Sequence, residues 1–150
     1  MILPIQTSSD NPILRQKAEK VKEITPQIKK VVLDMIETIK SDENSIGLAA
    51  PQINQSLQII AFKPDLNNKD LIVLINPKIK RASWKKEIME ESCLSLPNFS
   101  IPVKRSKKIT VQGLNIDGQL VKIKAEGLLA RIIQHEIDHL NGILICDKKS

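Results

Sequence analysis

The chain contains two histidines, and both fall in Gln134-His135-Glu136-Ile137-Asp138-His139, four residues apart with a glutamate directly after the first. On a helix that spacing turns both imidazoles to one face, one turn apart. Two ring nitrogens then reach one ion, and Glu136 stands beside the open coordination position. The chemistry implied is metal-assisted hydrolysis: an ion acidifies a bound water, and the carboxylate takes its proton and returns it to the leaving group. Core histidines satisfied by backbone groups are the competing explanation for inward imidazoles. A chain that spends its whole histidine supply on HExxH favours the metal.

Catalytic sites of this kind take three protein ligands and keep one position open. Eleven residues follow His139 and none is Glu, so a downstream glutamate ligand is ruled out. In the longer pattern HExxHxxGxxH, Gly142 matches but Ile145 occupies the third ligand position. The remaining donors are Cys93, Cys146 with Asp147 beside it, and nearby carboxylates. Cys93 lies in Glu91-Ser92-Cys93-Leu94-Ser95-Leu96-Pro97, a segment dense in small and turn residues. A backbone N–H after a ligand cysteine there can help bind a developing oxyanion. Taken alone, either thiol is more commonly a buried apolar side chain. Spacing does not choose between them.

These residues need elements to hold them. Leu128, Ile132, His135 and His139 fall at i, i+4, i+7 and i+11, so the histidines continue an apolar stripe facing the core. Leu129, Ile133 and Leu140 widen it, and Asn141-Gly142 is a helix stop. Asp10-Asn11-Pro12 opens a short helical turn. Thr25-Pro26 reads as an N-cap followed by proline at the first helical position, with an amphipathic scaffold helix to about Lys40. Short strands are expected at Leu57–Phe62, at Leu71–Ile75 (stopped by Asn76-Pro77) and at Trp84–Met89. Ile109–Leu114 and Leu120–Ala125 flank Asn115-Ile116-Asp117-Gly118, a hairpin signal. Helix, several strands, then a helix without βαβ alternation is an α+β order.

Composition narrows the setting. At 150 residues one domain is expected, and 41% apolar with 27% charged residues is a globular mixture. Aromatics are 2% with no tyrosine, so the core must rest on Ile, Leu and Val. The net charge of +6 comes from scattered lysines with short clusters such as Lys29-Lys30, Lys85-Lys86 and Lys107-Lys108. That favours a solvated surface over a dedicated nucleic-acid binder and leaves weak contact with an RNA-rich partner such as the ribosome as an open alternative. Met1–Ile5 is too short and too quickly broken for a signal sequence, and no apolar run reaches a membrane span. Two cysteines without a secretory pattern point to a reducing, cytoplasmic setting. Monomer is the default.

Three segments together resemble peptide deformylases, which carry a GxGLAAxQ loop, an EGCLS segment and a QHExDH helix. Here they are Ser45-Ile46-Gly47-Leu48-Ala49-Ala50-Pro51-Gln52, Glu91-Ser92-Cys93-Leu94-Ser95 and Gln134–His139, in family order, within a match from about Pro12 to Gly142. The resemblance implies a compact α+β domain of short, mostly antiparallel strands around a central C-terminal metal helix. It implies removal of the formyl group from N-formylmethionyl nascent peptides, releasing formate. It assigns the metal to Cys93, His135 and His139, with one divalent ion, ferrous iron first and zinc or nickel as alternatives. Glu136 would be the general acid/base, with Gln52 and the Leu94 backbone N–H as oxyanion donors. Ile46 and Gly47 would line the substrate strand, and Met89, Leu128 and Ile132 with Ile46 and His135 would form the methionine pocket. Glu91 would pair with Arg105, and Gln134 and Asp138 would support the helix and orient ligands.

Some positions depart from that pattern. Ser45 and Ser92 replace motif glycines, which would strain the backbone if either needs positive φ. Arg131 stands one turn before His135, where an apolar residue is expected; its charge would narrow the pocket or recruit an acidic group. Ser100 replaces a peptide-holding arginine. The sequence ends soon after the metal helix, without the long C-terminal helix that the resemblance associates with ribosome docking. Two other readings use the same residues: a small HExxH peptidase, and a formyl-peptide-binding protein with little turnover.

Overall fold

A computed structural model describes residues 1–67 and 70–148. Asn11 caps α1 (Pro12–Arg15) by accepting from the Ile13 N–H, and Thr25 caps α2 (Pro26–Lys40) by accepting from the Ile28 N–H. Both helices begin on proline, whose missing N–H is no loss in a first turn. The strands are β1 (Gly47–Ala49), β2 (Ile59–Phe62), β3 (Ile72–Ala82), β4 (Lys86–Cys93), β5 (Leu96–Ser106), β6 (Lys108–Leu114) and β7 (Leu120–Glu126). A short 3₁₀ turn, Ala50–Ile53, follows β1, and α3 (Leu128–Leu140) ends the sequence of major elements.

Five strands form one antiparallel sheet in the order β1-β2-β3-β6-β7, and β4-β5 form a separate two-stranded sheet. The domain is α+β with antiparallel strands and a C-terminal helix. In β2 all four residues are buried because both faces are covered. Ile60 and Phe62 pack with Leu74, Val111, Ile132 and Ile133 under α3, whereas Ile59 and Ala61 pack with Val32, Met35 and Ile39 of α2. A third cluster of Leu14, Cys93, Leu96, Val103, Leu144 and Ile145 seats the β4-β5 sheet. Among the described residues no helix is long and apolar enough to cross a membrane.

Two strand expectations need correction. β3 does not stop at Asn76-Pro77 but continues to Ala82. Asn76 adopts φ +54, its side chain bonds the Val21 N–H and C=O at 2.8 Å each, and the register shifts between Ile75 and Lys78. A bulge tolerates proline where a regular ladder does not. The strand expected at Trp84–Met89 begins at Lys86 and runs to Cys93, with Trp84 left in the preceding turn. β5 went unforeseen because Pro97 and Pro102 interrupt its pattern. Among the described residues its only strand partner is β4, so proline faces an open edge there.

The end of α3 depends on Gly142. Its φ is +73, and a Cβ there would lie 2.4 Å from the Arg15 carbonyl oxygen. Arg15 in turn donates to the Gly142 carbonyl at 3.2 Å and to Asp147 at 2.5 Å, tying the chain after α3 to α1.

Candidate active site

α3 presents His135 and Glu136 to a cleft of about 830 Å³, while Ala130, Ile133 and Leu140 of the same helix are buried in the core. β1 and the 3₁₀ turn bring Gly47 and Gln52 from one side; β4 and its tight turn bring Met89, Cys93 and Leu94 from the other. Ile46, Leu128 and Ile132 complete the apolar lining. Of the candidate catalytic, metal and substrate residues, all but His139 line this cleft; His139 lies beneath it at 1% exposure, and Arg105, Gln134, Asp138 and Cys146 do not line it.

The donor atoms of Cys93, His135 and His139 all lie within 4.8 Å of one another, and Cys93 Sγ is 3.3 Å from His139 Nε2. Cys146 is elsewhere, 3.7 Å from the Arg15 guanidinium and beside Asp147. His135 turns Nδ1 to Glu91 at 2.9 Å, which leaves Nε2 for the cluster. A carboxylate behind an imidazole is the usual way a metal-binding histidine is oriented. Burial alone would lower the His135 pKa, yet the Cys93 and Glu91 contacts raise it to about 10. One thiolate and two imidazoles form a soft donor set with room for a fourth, exchangeable position. The residues present fit a divalent ion.

Glu91 is the hub behind the donors. It is 8% exposed and receives Arg105 through two bonds of 2.7 and 2.9 Å, Arg131 at 2.5 Å, and His135. Burial raises its pKa, but the bonds from His135 and Arg105 outweigh this and hold it at about 2. Arg105 also reaches Asp138 at 2.7 Å, and Gln134 bonds the Ser106 N–H and C=O, so both flanking polar residues of the motif brace the helix. Arg131 recruits an acidic group. Its guanidinium also bonds the Val103 and Glu87 carbonyls at 2.9 and 2.8 Å, which directs the charge away from the apolar lining.

Glu136 is 4% exposed and its Oε1 has no hydrogen-bond partner among the described residues. Burial raises its pKa to about 7, despite the lowering effect of His135 and Arg105. A carboxylate with that pKa can both accept and return a proton near neutrality. Its position depends on Gly47: a Cβ there would sit 2.6 Å from Glu136 Oε2. Gly47→Ala is therefore expected to displace the carboxylate and lower turnover by roughly a hundredfold, with metal content unchanged. Parallel metal analysis and initial rates check this; an unchanged rate would show that the carboxylate has slack.

Gln52 is 2% exposed and fixed at both ends of its amide. The Ala49 N–H donates to its Oε1 at 3.0 Å, and its Nε2 donates to Ser95 Oγ at 3.1 Å and lies 3.8 Å from Cys93 Sγ. Ser95, fully buried, received no role from the sequence. Its small polar side chain beside a ligand cysteine was the available signal. Ser45 and Ser92 are not among the residues with positive φ, so serine introduces no backbone strain at either motif position. Ser100 donates to Glu90 at 3.0 Å on the cleft wall.

The family model for polypeptide deformylase matches residues 2–150. The chain belongs to the polypeptide deformylase family. Peptide deformylase of Dictyoglomus thermophilum is 47% identical over 148 residues, covering 99% of this chain and 93% of that protein. The crystal structure of peptide deformylase from Thermotoga maritima superposes with a TM-score of 0.92 at 38% identity, covering 100% of this chain and 99% of the other. A peptide deformylase from Acinetobacter baumannii, solved with Met-Ala-Ser bound, gives 0.90 at 30% identity, covering 99% of each. Deformylases are hydrolases that remove N-formyl groups from peptides, and this chain carries the same fold around a Cys-His-His donor set.

Proposed function

We propose that the cleft hydrolyses the formamide of N-formylmethionyl nascent peptides, with Glu136 shuttling the proton. The observation that carries this reading is the buried Glu136 carboxylate in the same cleft as Cys93 and His135, whose donor atoms converge with that of His139. A divalent ion held by those three residues, ferrous iron in our reading with zinc or nickel as alternatives, supplies the Lewis acidity that acidifies water and polarises the formyl oxygen. Glu136 takes a proton from the attacking water as the O–C bond forms. It delivers that proton to the amine nitrogen as the C–N bond breaks, giving formate and a free methionyl amine. The fixed Gln52 amide and the Leu94 N–H donate to the oxygen that gains negative charge.

Ile46, Met89, Leu128 and Ile132 offer an apolar pocket for the methionine side chain. β1 is an edge strand of the five-stranded sheet, and the peptide backbone would add to it as a further strand. The Met-Ala-Ser bound by the Acinetobacter baumannii relative is the product such a reaction would leave. A single copy of the chain supplies every donor named here, which supports action as a monomer.

The test is formate release from formyl-Met-Ala-Ser by anaerobically prepared protein loaded with ferrous iron, beside a zinc-loaded sample. Formate from both, faster with iron, is the expected result. Cleavage of an internal bond in the unformylated peptide would overturn the reading in favour of a peptidase; tight peptide binding without formate would favour a binding protein.

A further inference from the structure

One face of the sheet is left open by the way the helices pack. α2 covers the sheet through Leu48, Ile59, Ala61 and Ile75, on β1, β2 and the start of β3. Beyond that point the same face carries charge. In the register of β3, β6 and β7, Ile79, Val111 and Ile123 share a row on the α3 side, whereas Arg81, Thr110 and Lys124 share a row on the open side. Lys78, Gln112 and Lys122 form the next open row, and Lys108 opposite Glu126 forms another. Five exposed cations, Lys78, Arg81, Lys108, Lys122 and Lys124, thus face one carboxylate, Glu126, which lies 3.5 Å from Lys108. The cations of β3 and β7 flank the neutral Thr110 and Gln112 of β6, so each row presents two positive charges one strand apart to whatever lies over the face.

In the turn between β3 and β4, beside the start of β6 at the end of this sheet, Trp84 is 94% exposed. Its turn is fixed. The Ser83 N–H donates to the Lys108 carbonyl at 2.8 Å, the Lys108 N–H donates to Ser83 Oγ at 3.0 Å, and the Lys107 N–H donates to the Lys85 carbonyl at 3.0 Å. An indole held in water by a pinned turn, with Lys85 and Lys86 following it, is an aromatic platform beside a basic strip. A shallow recess of about 370 Å³ lies along these strands, lined by Lys108, Ile109, Thr110, Lys124, Ala125 and Glu126. None of these residues lines the catalytic cleft.

We propose that this face docks single-stranded RNA, with phosphates along the rows of lysine and arginine and an unpaired base stacked on Trp84. Basic grooves with exposed aromatic side chains are the common solution for single strands, because every base offers a π-face. A lipid surface would call for apolar residues around the indole, and its neighbours are Ser83, Lys85 and Lys86. An acidic protein would have to bury the indole in a pocket of its own, whereas a single strand supplies phosphates and a stacking base together; equal binding by polyglutamate would overturn the proposal. The choice of RNA over DNA rests on the function proposed above, whose substrates are newly made chains on RNA-rich machinery.

Trp84 is the single tryptophan and the chain has no tyrosine, so indole emission reports this surface alone. Oligouridylate of about 12 nucleotides, added to the metal-loaded enzyme at low salt, is expected to quench that emission. The affinity should fall about a hundredfold between roughly 50 and 200 mM salt if some five phosphates are engaged. The double variant Lys122→Glu/Lys124→Glu should weaken binding at least tenfold and deformylate a short formyl peptide at the unchanged rate. Labelled RNA followed by anisotropy should bind Trp84→Leu several-fold more weakly. Absence of quenching at low salt overturns the proposal, as does RNA binding that survives the double reversal. Equal affinity for inorganic polyphosphate, for anionic vesicles or for the matching DNA overturns it in favour of that partner. Quenching without formate release would sink the deformylase reading and the choice of RNA, but not the binding surface; formate release without quenching does the reverse.

Discussion

Glu136→Ala is expected to lower formate release by about 10²–10⁴-fold while leaving the metal in place and the protein no less stable. The side chain does not belong to the donor cluster, so its loss removes proton transfer without removing a ligand. It is also a buried carboxylate whose Oε1 has no partner among the described residues. Taking such a group out of the interior relieves a desolvation cost, which makes an unchanged or raised Tm the expected result. Rate, metal stoichiometry and thermal melting on one preparation separate the outcomes. Turnover near wild type would end the acid/base assignment. A lost rate accompanied by lost metal would instead assign Glu136 to holding the site together.

Glu91→Ala should have the opposite signature. It strands the guanidinium groups of Arg105 and Arg131 in the interior, at 4% and 6% exposure, and frees the His135 ring. Breaking a buried ion cluster on one side costs about 3–5 kcal/mol, which for a domain of this size lowers Tm on the order of 10 °C. Losing the carboxylate behind His135 should weaken metal retention by roughly 10–100-fold, measured by competition with a chelator. Glu126→Ala, which removes an exposed partner of Lys108, should shift stability by less than about 0.5 kcal/mol. Equal melts for the two variants would mean that the cluster around Glu91 is solvated enough to be dispensable.

The residues gathered in the cleft were legible by two routes: the histidine segment by its own spacing, and Cys93, Gln52, Leu94 and the apolar lining through the resemblance to peptide deformylases. His135, Glu136 and His139 announce themselves within one segment. Cys93 does not: spacing leaves it level with Cys146, and the resemblance alone chose it before the fold brought it to α3. The helix caps at Asn11 and Thr25 and the β6-β7 hairpin were also readable, because local rules govern them. β5 and the second half of β3 were not. Their prolines argue against a strand in isolation, and only the open edge of β5 and the bulge held by Asn76 and Val21 make them permissible. The role of Arg131 was half visible: a charge beside the pocket demands a partner, but Glu91 serves Arg105, His135 and Arg131 together only in three dimensions.

The donors also have a bearing on how the molecule comes apart. Cys93 belongs to the β4-β5 sheet and His139 to α3; they are 46 residues apart in sequence and 3.3 Å apart in space. An ion that bonds both closes a covalent-like loop of that length, and in the chain-entropy picture such a closure restricts the unfolded ensemble by about 4 kcal/mol. The small sheet has its own modest apolar cluster and only β4 and β5 as strands. Chelation then acts as a disulfide would in an oxidising compartment, stapling the hairpin to the helix, and the stripped protein is expected to open first at that hairpin.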